Sequence, residues 1–280
     1  MPQRQVILVT GCSSGIGLAT AREAAARGHR VFAGARRAGD LAEVQRPGVL
    51  DPLDLDVADG ESVRAAAAAV LSRAGRIDAL VNNAGYGQYG AVEEISAEQW
   101  RAQFEVNLFG AIDMTRAVLP AMREAGCGTV VNVSSVAGRV VIPFAAPYCA
   151  SKHAMEAVSD ALRVEVASFG IRVVVVEPGP IETRFGDRAR SEVAPLLGRP
   201  GPYRELYVGA KRAMEGDFQK GRRPPERVAR VIVRAIESAR PRTRYRVTPM
   251  ARLLIPLRPL LPDRLVDWMM RRSLGLPAPR

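Results

Sequence analysis

Apolar runs rich in β-branched residues alternate with alanine-rich amphipathic stretches along most of this 280-residue chain. The apolar runs cover residues 6–9, 31–33, 49–55, 77–81, 129–133 and 172–177. The amphipathic stretches between them include 18–27, 60–73, 97–123 and 150–169. Strands that are apolar throughout, without alternating polar residues, are typical of a parallel sheet covered by helices on both faces. The pattern therefore predicts an α/β protein with a doubly wound parallel sheet of the Rossmann type.

The composition of the sequence changes after residue 178. Glycine and proline crowd residues 179–225, and such a long loop in a compact domain is commonly a substrate lid. An amphipathic helix is predicted over 226–239 and a last strand over 244–248. We therefore expect one domain over residues 1–248, including the lid, and a helical tail over 249–280. Arginines and prolines interrupt the tail, so it contains no uncharged run of the 18 residues that a membrane-spanning helix needs.

The tail region carries most of the positive charge. The formal net charge is +11, and residues 240–280 hold ten arginines against two aspartates, a net of +8. No stripe of basic and aromatic residues precedes this region, so nucleic-acid binding is not expected. The tail could cover the substrate mouth, complete an oligomer or lie at a membrane interface, and we favour packing within the protein.

Cysteine and histidine are too few for a disulfide scaffold or a zinc finger. The chain has three cysteines and two histidines without metal-ligand spacing, so no metal site is expected. The first apolar run, residues 6–9, is too short for the core of a signal peptide. We therefore expect a cytoplasmic protein.

A glycine-rich turn lies between the first predicted strand and the first predicted helix. Gly11, Gly15 and Gly17 follow a G-x-x-x-G-x-G spacing. Glycines in this position allow a tight turn, close approach of a pyrophosphate and helix–strand packing, and the helix N-terminus presents free N–H groups to the anion. The strand–turn–helix context predicts a dinucleotide site rather than an ordinary tight turn. The candidate binding residues are Gly11, Ser13, Ser14, Gly15, Ile16 and Gly17.

The end of the second predicted strand indicates which dinucleotide binds. An acid there would bond the ribose 2′-hydroxyl and repel a 2′-phosphate, whereas arginine pairs with that phosphate. Here Arg36 and Arg37 follow the strand, and the first acid is Asp40. Arginine is common in this chain, so the missing acid is the stronger observation. Both favour NADP(H) over NAD(H).

Tyr148 and Lys152 are four residues apart at the start of a predicted helix, which puts them on one face. Bringing a tyrosine pKa from about 10 to about 7 requires about 4 kcal/mol. One ammonium about 4 Å away contributes about 4 kcal/mol at an effective dielectric constant of about 20. A single lysine could therefore activate the phenol as an acid or base. An isolated pair with this spacing is more often just the start of a helix.

The pair is not isolated. In order and spacing, six segments resemble the classical short-chain dehydrogenase/reductase family, and within it the NADP(H)-using 17-beta-hydroxysteroid dehydrogenase type 1 and retinol dehydrogenase branch. These segments are residues 10–17, Asn82 to Gly85, Asn107, Ser134 with Ser135, Tyr148 with Lys152, and Pro178 to Thr183.

The resemblance implies a role for each matching residue. Tyr148 would be the general acid for carbonyl reduction or the base for alcohol oxidation, and Lys152 would lower its pKa and hold the nicotinamide ribose. Ser135 would polarise the substrate oxygen, and Asn107 would seat a water linking Lys152 to solvent. Further cofactor contacts would come from Asp56, Val57, Asn83, Ala84, Gly85, Pro178, Gly179, Ile181 and Thr183. Family members are commonly homodimers or homotetramers.

The variable segments indicate only the polarity of the substrate. The candidate wall residues are apolar or amphipathic, which favours a bulky hydrophobic ketone, aldehyde or alcohol. They are Tyr86, Tyr89, residues 140–144, Leu196, Leu197, Tyr203 and Tyr207. The alternative function is a non-enzymatic NADP(H)-binding sensor or basic interaction protein on the same fold.

Overall fold

The computed structural model describes residues 4–44, 49–184, 195–197, 201–215 and 221–276. The strands are β1 (Val6–Val9), β2 (Arg30–Ala35), β3 (Leu50–Asp54), β4 (Ala79–Asn82), β5 (Gly128–Val133), β6 (Ile171–Glu177) and β7 (Arg244–Arg246). Within the described residues they form one parallel sheet in the order β3-β2-β1-β4-β5-β6-β7. The predicted doubly wound α/β fold is confirmed.

Helices cover both faces of the sheet. They are α1 (Gly15–Ala26), α2 (Gly60–Ala74), α3 (Ala97–Phe104), α4 (Gly110–Glu124), α5 (Ala146–Glu165), α6 (Arg204–Glu215), α7 (Pro225–Glu237), α8 (Pro249–Leu257) and α9 (Asp263–Ser273). On β1, Ile7 and Val9 face the core shared with α1 and α7, whereas Leu8 faces the core shared with α2 and α4. Alternate residues of one strand thus supply both cores, which explains why the strands are apolar throughout.

The strand order reverses at β1, which pairs with β2 on one side and β4 on the other. In an open α/β sheet, a reversal of this kind opens a crevice at the carboxyl ends of the strands. The glycine-rich turn follows β1 and therefore lies at this crevice.

The helix predicted over 97–123 is present, but its geometry changes inside it. A wider turn at Glu105–Phe109 separates α3 from α4. The amphipathic pattern continues across the turn, so periodicity gave no sign of it. Asn107 is buried in this turn, and such one-turn irregularities are common at functional sites.

The described part of the tail packs against the domain. Ala251 and Ile255 of α8 contact Val136 and Val140, and Thr248 caps α8 by accepting from the Ala251 amide at 3.2 Å. After α9, Leu274 is only 7% exposed. In the described part of the chain, none of the helices combines the length and apolar character that a membrane crossing requires.

Candidate active site

The glycine-rich turn is closed so tightly that side chains would not fit. A Cβ on Gly17 would lie 2.3 Å from the Gly11 carbonyl oxygen, and one on Gly11 would lie 2.8 Å from the Ala84 Cα. Gly11 and Gly15 adopt φ values of 71° and 59°, which favour glycine. Ser14 makes no side-chain cap at the start of α1. The first N–H groups of α1 thus remain available to an anion, and the cradle fits the pyrophosphate of a dinucleotide.

Thr10 and Asn83 hold the ends of β1 and β4 together beneath this turn. The Thr10 hydroxyl accepts from the amides of Asn83 at 3.0 Å and Ala84 at 2.9 Å. The Asn83 side chain donates to the carbonyl oxygens of Thr10 at 2.9 Å and Gly11 at 3.2 Å. Asn83 therefore fixes the position of the cradle from the neighbouring strand.

Tyr148, Lys152 and Ser135 meet where α5 begins beside the carboxyl end of β5. The Ser135 and Tyr148 hydroxyl groups are hydrogen-bonded. Ser135 also accepts from the Ala137 amide at 3.1 Å, which orients its hydroxyl. Lys152 Nζ donates to the Val133 carbonyl at 2.7 Å and lies 6.0 Å from the centroid of the Tyr148 ring. The structure thus brings together the predicted phenol, ammonium and hydroxyl.

The expected lowering of the Tyr148 pKa does not occur in this structure. Burial raises the pKa of Tyr148 to about 12, although the hydrogen bond from Ser135 opposes the shift. Burial also lowers the pKa of Lys152 to about 8, and the charge of Glu156 opposes that shift. The desolvation of both groups outweighs the attraction on which the sequence argument relied.

Asn107 lies behind the site and anchors the segment that follows β4. Its side-chain oxygen accepts from the Tyr86 amide at 3.0 Å, and its nitrogen donates to the Tyr86 carbonyl at 2.9 Å. The same nitrogen donates to the Ser151 hydroxyl of α5 at 3.2 Å. Asn107 therefore ties the cavity wall at Tyr86 to the helix that carries Tyr148 and Lys152.

A cavity of about 820 Å³ opens at the carboxyl ends of the strands. Its walls contain most of the predicted site residues: Gly11, Ser13, Ser14, Gly15, Ile16, Arg36, Asp56, Val57, Asn83, Ala84, Gly85, Ser135, Tyr148, Lys152, Pro178, Gly179, Ile181 and Thr183. Gly17, Arg37 and Asn107 do not line it. Gly17 packs under the turn, and Arg37 is 83% exposed and pairs with Asp40 at 3.5 Å. The structure therefore favours Arg36 over Arg37 as a phosphate ligand.

Aromatic and aliphatic side chains surround the other end of the cavity. Phe144 and Tyr207 both line it, with ring centroids 5.2 Å apart. Phe144 has a φ of 63°, which is strained for a bulky residue, and its carbonyl accepts from the Gly90 amide at 2.9 Å. The Tyr207 hydroxyl accepts from the Ala91 amide at 2.7 Å and donates to Glu94.

Sequence reasoning missed several residues of the cavity wall. Leu274 and Arg222 line the cavity, although each is far along the chain from the motifs. The Leu274 carbonyl leaves no space for a Cβ on Gly209, so the segment after α9 packs closely on α6. The sequence predicted packing of the tail within the protein, with cover of the substrate mouth as one alternative, but it did not single out Leu274.

Comparison with known proteins identifies the family. Residues 5–194 match the short chain dehydrogenase family. The Escherichia coli (strain K12) protein described as uncharacterized oxidoreductase YbbO is 38% identical, with 93% of this chain and 92% of the relative covered. The Bacteroides thetaiotaomicron 3-ketodihydrosphingosine reductase is 34% identical (96% and 97% covered), and human 17-beta-hydroxysteroid dehydrogenase type 1 is 36% identical (88% and 78% covered).

Solved structures have the same architecture. A Burkholderia phymatum short-chain dehydrogenase/reductase in complex with NAD has a TM-score of 0.80 at 27% identity, covering 95% of this chain and 96% of its own. A Burkholderia cenocepacia short-chain dehydrogenase in complex with NADP has a TM-score of 0.74 at 29% identity, covering 99% and 100%. The sequence resemblance is thus confirmed: the chain belongs to the short-chain dehydrogenase/reductase family, and it is an oxidoreductase acting on CH–OH and C=O groups.

Proposed function

We propose that this protein is an NADP(H)-dependent reductase that converts a bulky hydrophobic ketone or aldehyde to its alcohol. One observation carries the proposal: Tyr148 is hydrogen-bonded to Ser135, beside Lys152, in the same cavity as the glycine cradle. An acid next to a dinucleotide site is the arrangement that carbonyl reduction requires, because the carbon gains hydride and the oxygen gains a proton.

In this mechanism the protein places the substrate oxygen and delivers the proton. When bound, NADPH supplies the hydride, while the cradle and the α1 N-terminus hold its phosphates. Ser135 donates a hydrogen bond to the carbonyl oxygen, and the Tyr148 hydroxyl passes its proton to that oxygen. Tyr148 holds its proton at neutral pH, because burial raises its pKa to about 12. The ammonium of Lys152 compensates the phenolate left after transfer.

The preference for NADP(H) rests on the absence of an acid directly after β2 and on Arg36. Arg36 is exposed on the cavity wall directly after β2, where an acid would repel the 2′-phosphate. The similar solved structures include complexes with either nicotinamide cofactor, so the residues of this chain decide the proposal.

The proposed substrate class rests on the apolar end of the cavity. Phe144, Tyr207 and Leu274 line the cavity that also contains Tyr148. The name of the Bacteroides relative refers to a keto group on a long-chain base, which is consistent with such walls.

We also propose a cytoplasmic homodimer or homotetramer with a lid over residues 179–225. Much of that lid lies outside the described residues. Light scattering would measure the oligomeric state.

Turnover with a panel of hydrophobic ketones, using NADPH and NADH separately, tests the function. We expect reduction with a preference for NADPH, and a loss of about 10²- to 10⁴-fold in kcat for Tyr148→Phe. Tyr245→Phe is the matched control, because the Tyr245 hydroxyl accepts from the Arg242 amide and Tyr245 does not line the cavity. Unchanged kcat in Tyr148→Phe would overturn the proposed mechanism, and a preference for NADH would overturn the assignment of Arg36.

A further inference from the structure

Two carboxylates and three arginines are gathered beside the active site, in what we term the carboxylate–arginine cluster: Glu156, Glu177, Arg139, Arg244 and Arg246. Glu156 Oε2 lies 2.9 Å from Arg139 and 3.1 Å from Arg244. Glu177 lies 3.5 Å from Arg139, 3.7 Å from Arg244 and 3.5 Å from Arg246. The cluster joins α5, β6, β7 and the segment after β5.

The carboxylates of this cluster are deeply buried. Glu177 is 0% exposed and Glu156 is 3% exposed. Both Glu177 oxygens and Glu156 Oε1 are buried without a hydrogen-bond partner among the described residues. Desolvated ion pairs contribute little net stability, since apolar side chains of similar volume often do as well. The position of the cluster therefore calls for an explanation other than stability.

Glu156 lies one helical turn after Lys152, on the same face of α5. Both side chains are buried at the segment following β5. A Cβ on Gly138 would lie 3.1 Å from the Lys152 carbonyl oxygen and 3.2 Å from Glu156 Cγ. The backbone of Lys152 and the side chain of Glu156 thus pack against Gly138 in one buried region, where a unit charge acts strongly.

Charged groups from several elements face Glu156. Arg139 faces it from the segment after β5, and Arg244 faces it from β7. Glu177 faces the same two arginines from β6. Asp160 lies one turn further along α5 and pairs with Arg244 at 2.7 Å. On Lys152 itself, burial favours loss of the proton and the charge of Glu156 opposes that loss.

We propose that Glu156 is a positioning residue that keeps Lys152 protonated at the active site, with Arg139 and Arg244 holding the carboxylate in place. This inference rests on the proposed function, because the charge of Lys152 matters there as the compensation for the Tyr148 phenolate. Glu156 acts through Lys152, whereas Tyr148 and Ser135 act on the substrate directly.

The titration of Lys152 tests the inference without any measurement of turnover. The chain contains three lysines, Lys152, Lys211 and Lys220, so protein made with lysine ¹³C-labelled at Cε gives three resolvable signals. The signal that disappears in Lys152→Met belongs to Lys152. We expect Glu156→Gln to lower its titration midpoint by about one pH unit or more.

Two variants separate charge from packing. Asp160→Asn removes the other α5 carboxylate that pairs with Arg244, and it should leave the Lys152 midpoint unchanged. Glu156→Asp retains the charge. In this variant the Lys152 midpoint should lie closer to the wild-type value than it does in Glu156→Gln. If Glu156→Gln does not fold, Glu156→Asp and Arg139→Gln keep the test decisive, since a displaced carboxylate must still move the midpoint.

Equal midpoints in the wild type and in these Glu156 and Arg139 variants would overturn the inference. The pH dependence of ketone reduction is the second readout. Its alkaline limb should move to lower pH in Glu156→Gln but not in Asp160→Asn. Failure of the proposed function would appear differently, as retained turnover in Tyr148→Phe with the NMR midpoints still shifted by Glu156→Gln.

Discussion

The two ends of the cavity are built in different ways. The phosphate cradle at the cofactor end comes from consecutive residues of one strand–turn–helix unit, Gly11 to Gly17, fixed by Asn83 from the adjacent strand. The proposed substrate end combines Phe144, Tyr207 and Leu274, which are far apart in the chain. Backbone atoms in contact define the first end, and packed side chains define the second.

This difference determines how each end responds to change. Backbone packing at the cofactor end has no space for an added atom, so even one methyl group must displace a strand or the turn. Side-chain packing at the substrate end can adjust, so substitutions there should alter affinity and specificity gradually. The predictions below test this contrast.

The largest effect is expected from Gly17→Ala. Its Cβ would lie 2.3 Å from the Gly11 carbonyl oxygen, so the turn must shift. We expect binding of NADPH, measured by calorimetry, to weaken by more than about 100-fold, which corresponds to about 3 kcal/mol. Gly60→Ala is the control, because its Cβ would meet only the end of the Arg64 side chain at 3.4 Å. Equal affinity for NADPH in Gly17→Ala and the wild type would show that the cofactor end tolerates an added methyl group, contrary to the contrast drawn above.

An intermediate effect, on stability, is expected at Lys152, where the two ends meet. Burial lowers its pKa from 10.5 to about 8, so between these pH values the unfolded chain binds the proton that the folded chain has lost. The free energy of unfolding should therefore rise with pH across this window, by up to about 3 kcal/mol from this group. Denaturant unfolding should show the wild type gaining stability relative to Lys152→Met as the pH rises from about 8 to 10.5. Parallel curves would contradict the prediction.

The smallest effect is expected from Leu274→Ala at the substrate end. Removing this aliphatic contact should raise KM for a bulky hydrophobic ketone by about 10-fold, because a few buried methyl groups contribute about 1 to 3 kcal/mol. The affinity for NADPH should not change. Leu260→Ala is the control, since Leu260 is 77% exposed and does not line the cavity. A weaker affinity for NADPH would show that the two ends are not independent.

The features predictable from the sequence were those encoded locally. The glycine turn and the Tyr148–Lys152 spacing depend on neighbours within one turn or one helix, and the structure places them in one cavity. The Glu177–Arg246 pair and the contact between Leu274 and Gly209 join distant segments, so no local pattern announces them.

The electrostatics of the site could not be predicted for a similar reason. Tyr148 and Lys152 lie on one face of α5, as the spacing predicted. Burial nevertheless raises the pKa of the phenol instead of lowering it. The cost of desolvation depends on everything packed around the group, and spacing along one helix gives only one of those neighbours. The wider turn at Glu105–Phe109 was also unpredictable, because its apolar residues preserve the helical pattern.

The position of Leu274 has a consequence for the newly made protein. A ribosome produces the glycine turn, the strands that flank it and Tyr148 long before it produces Leu274. The residues of the glycine turn are therefore present in the nascent chain before Leu274, which lines the proposed substrate end of the cavity. Under the proposed function, the wall that contacts the substrate is the last part of the site to be synthesised.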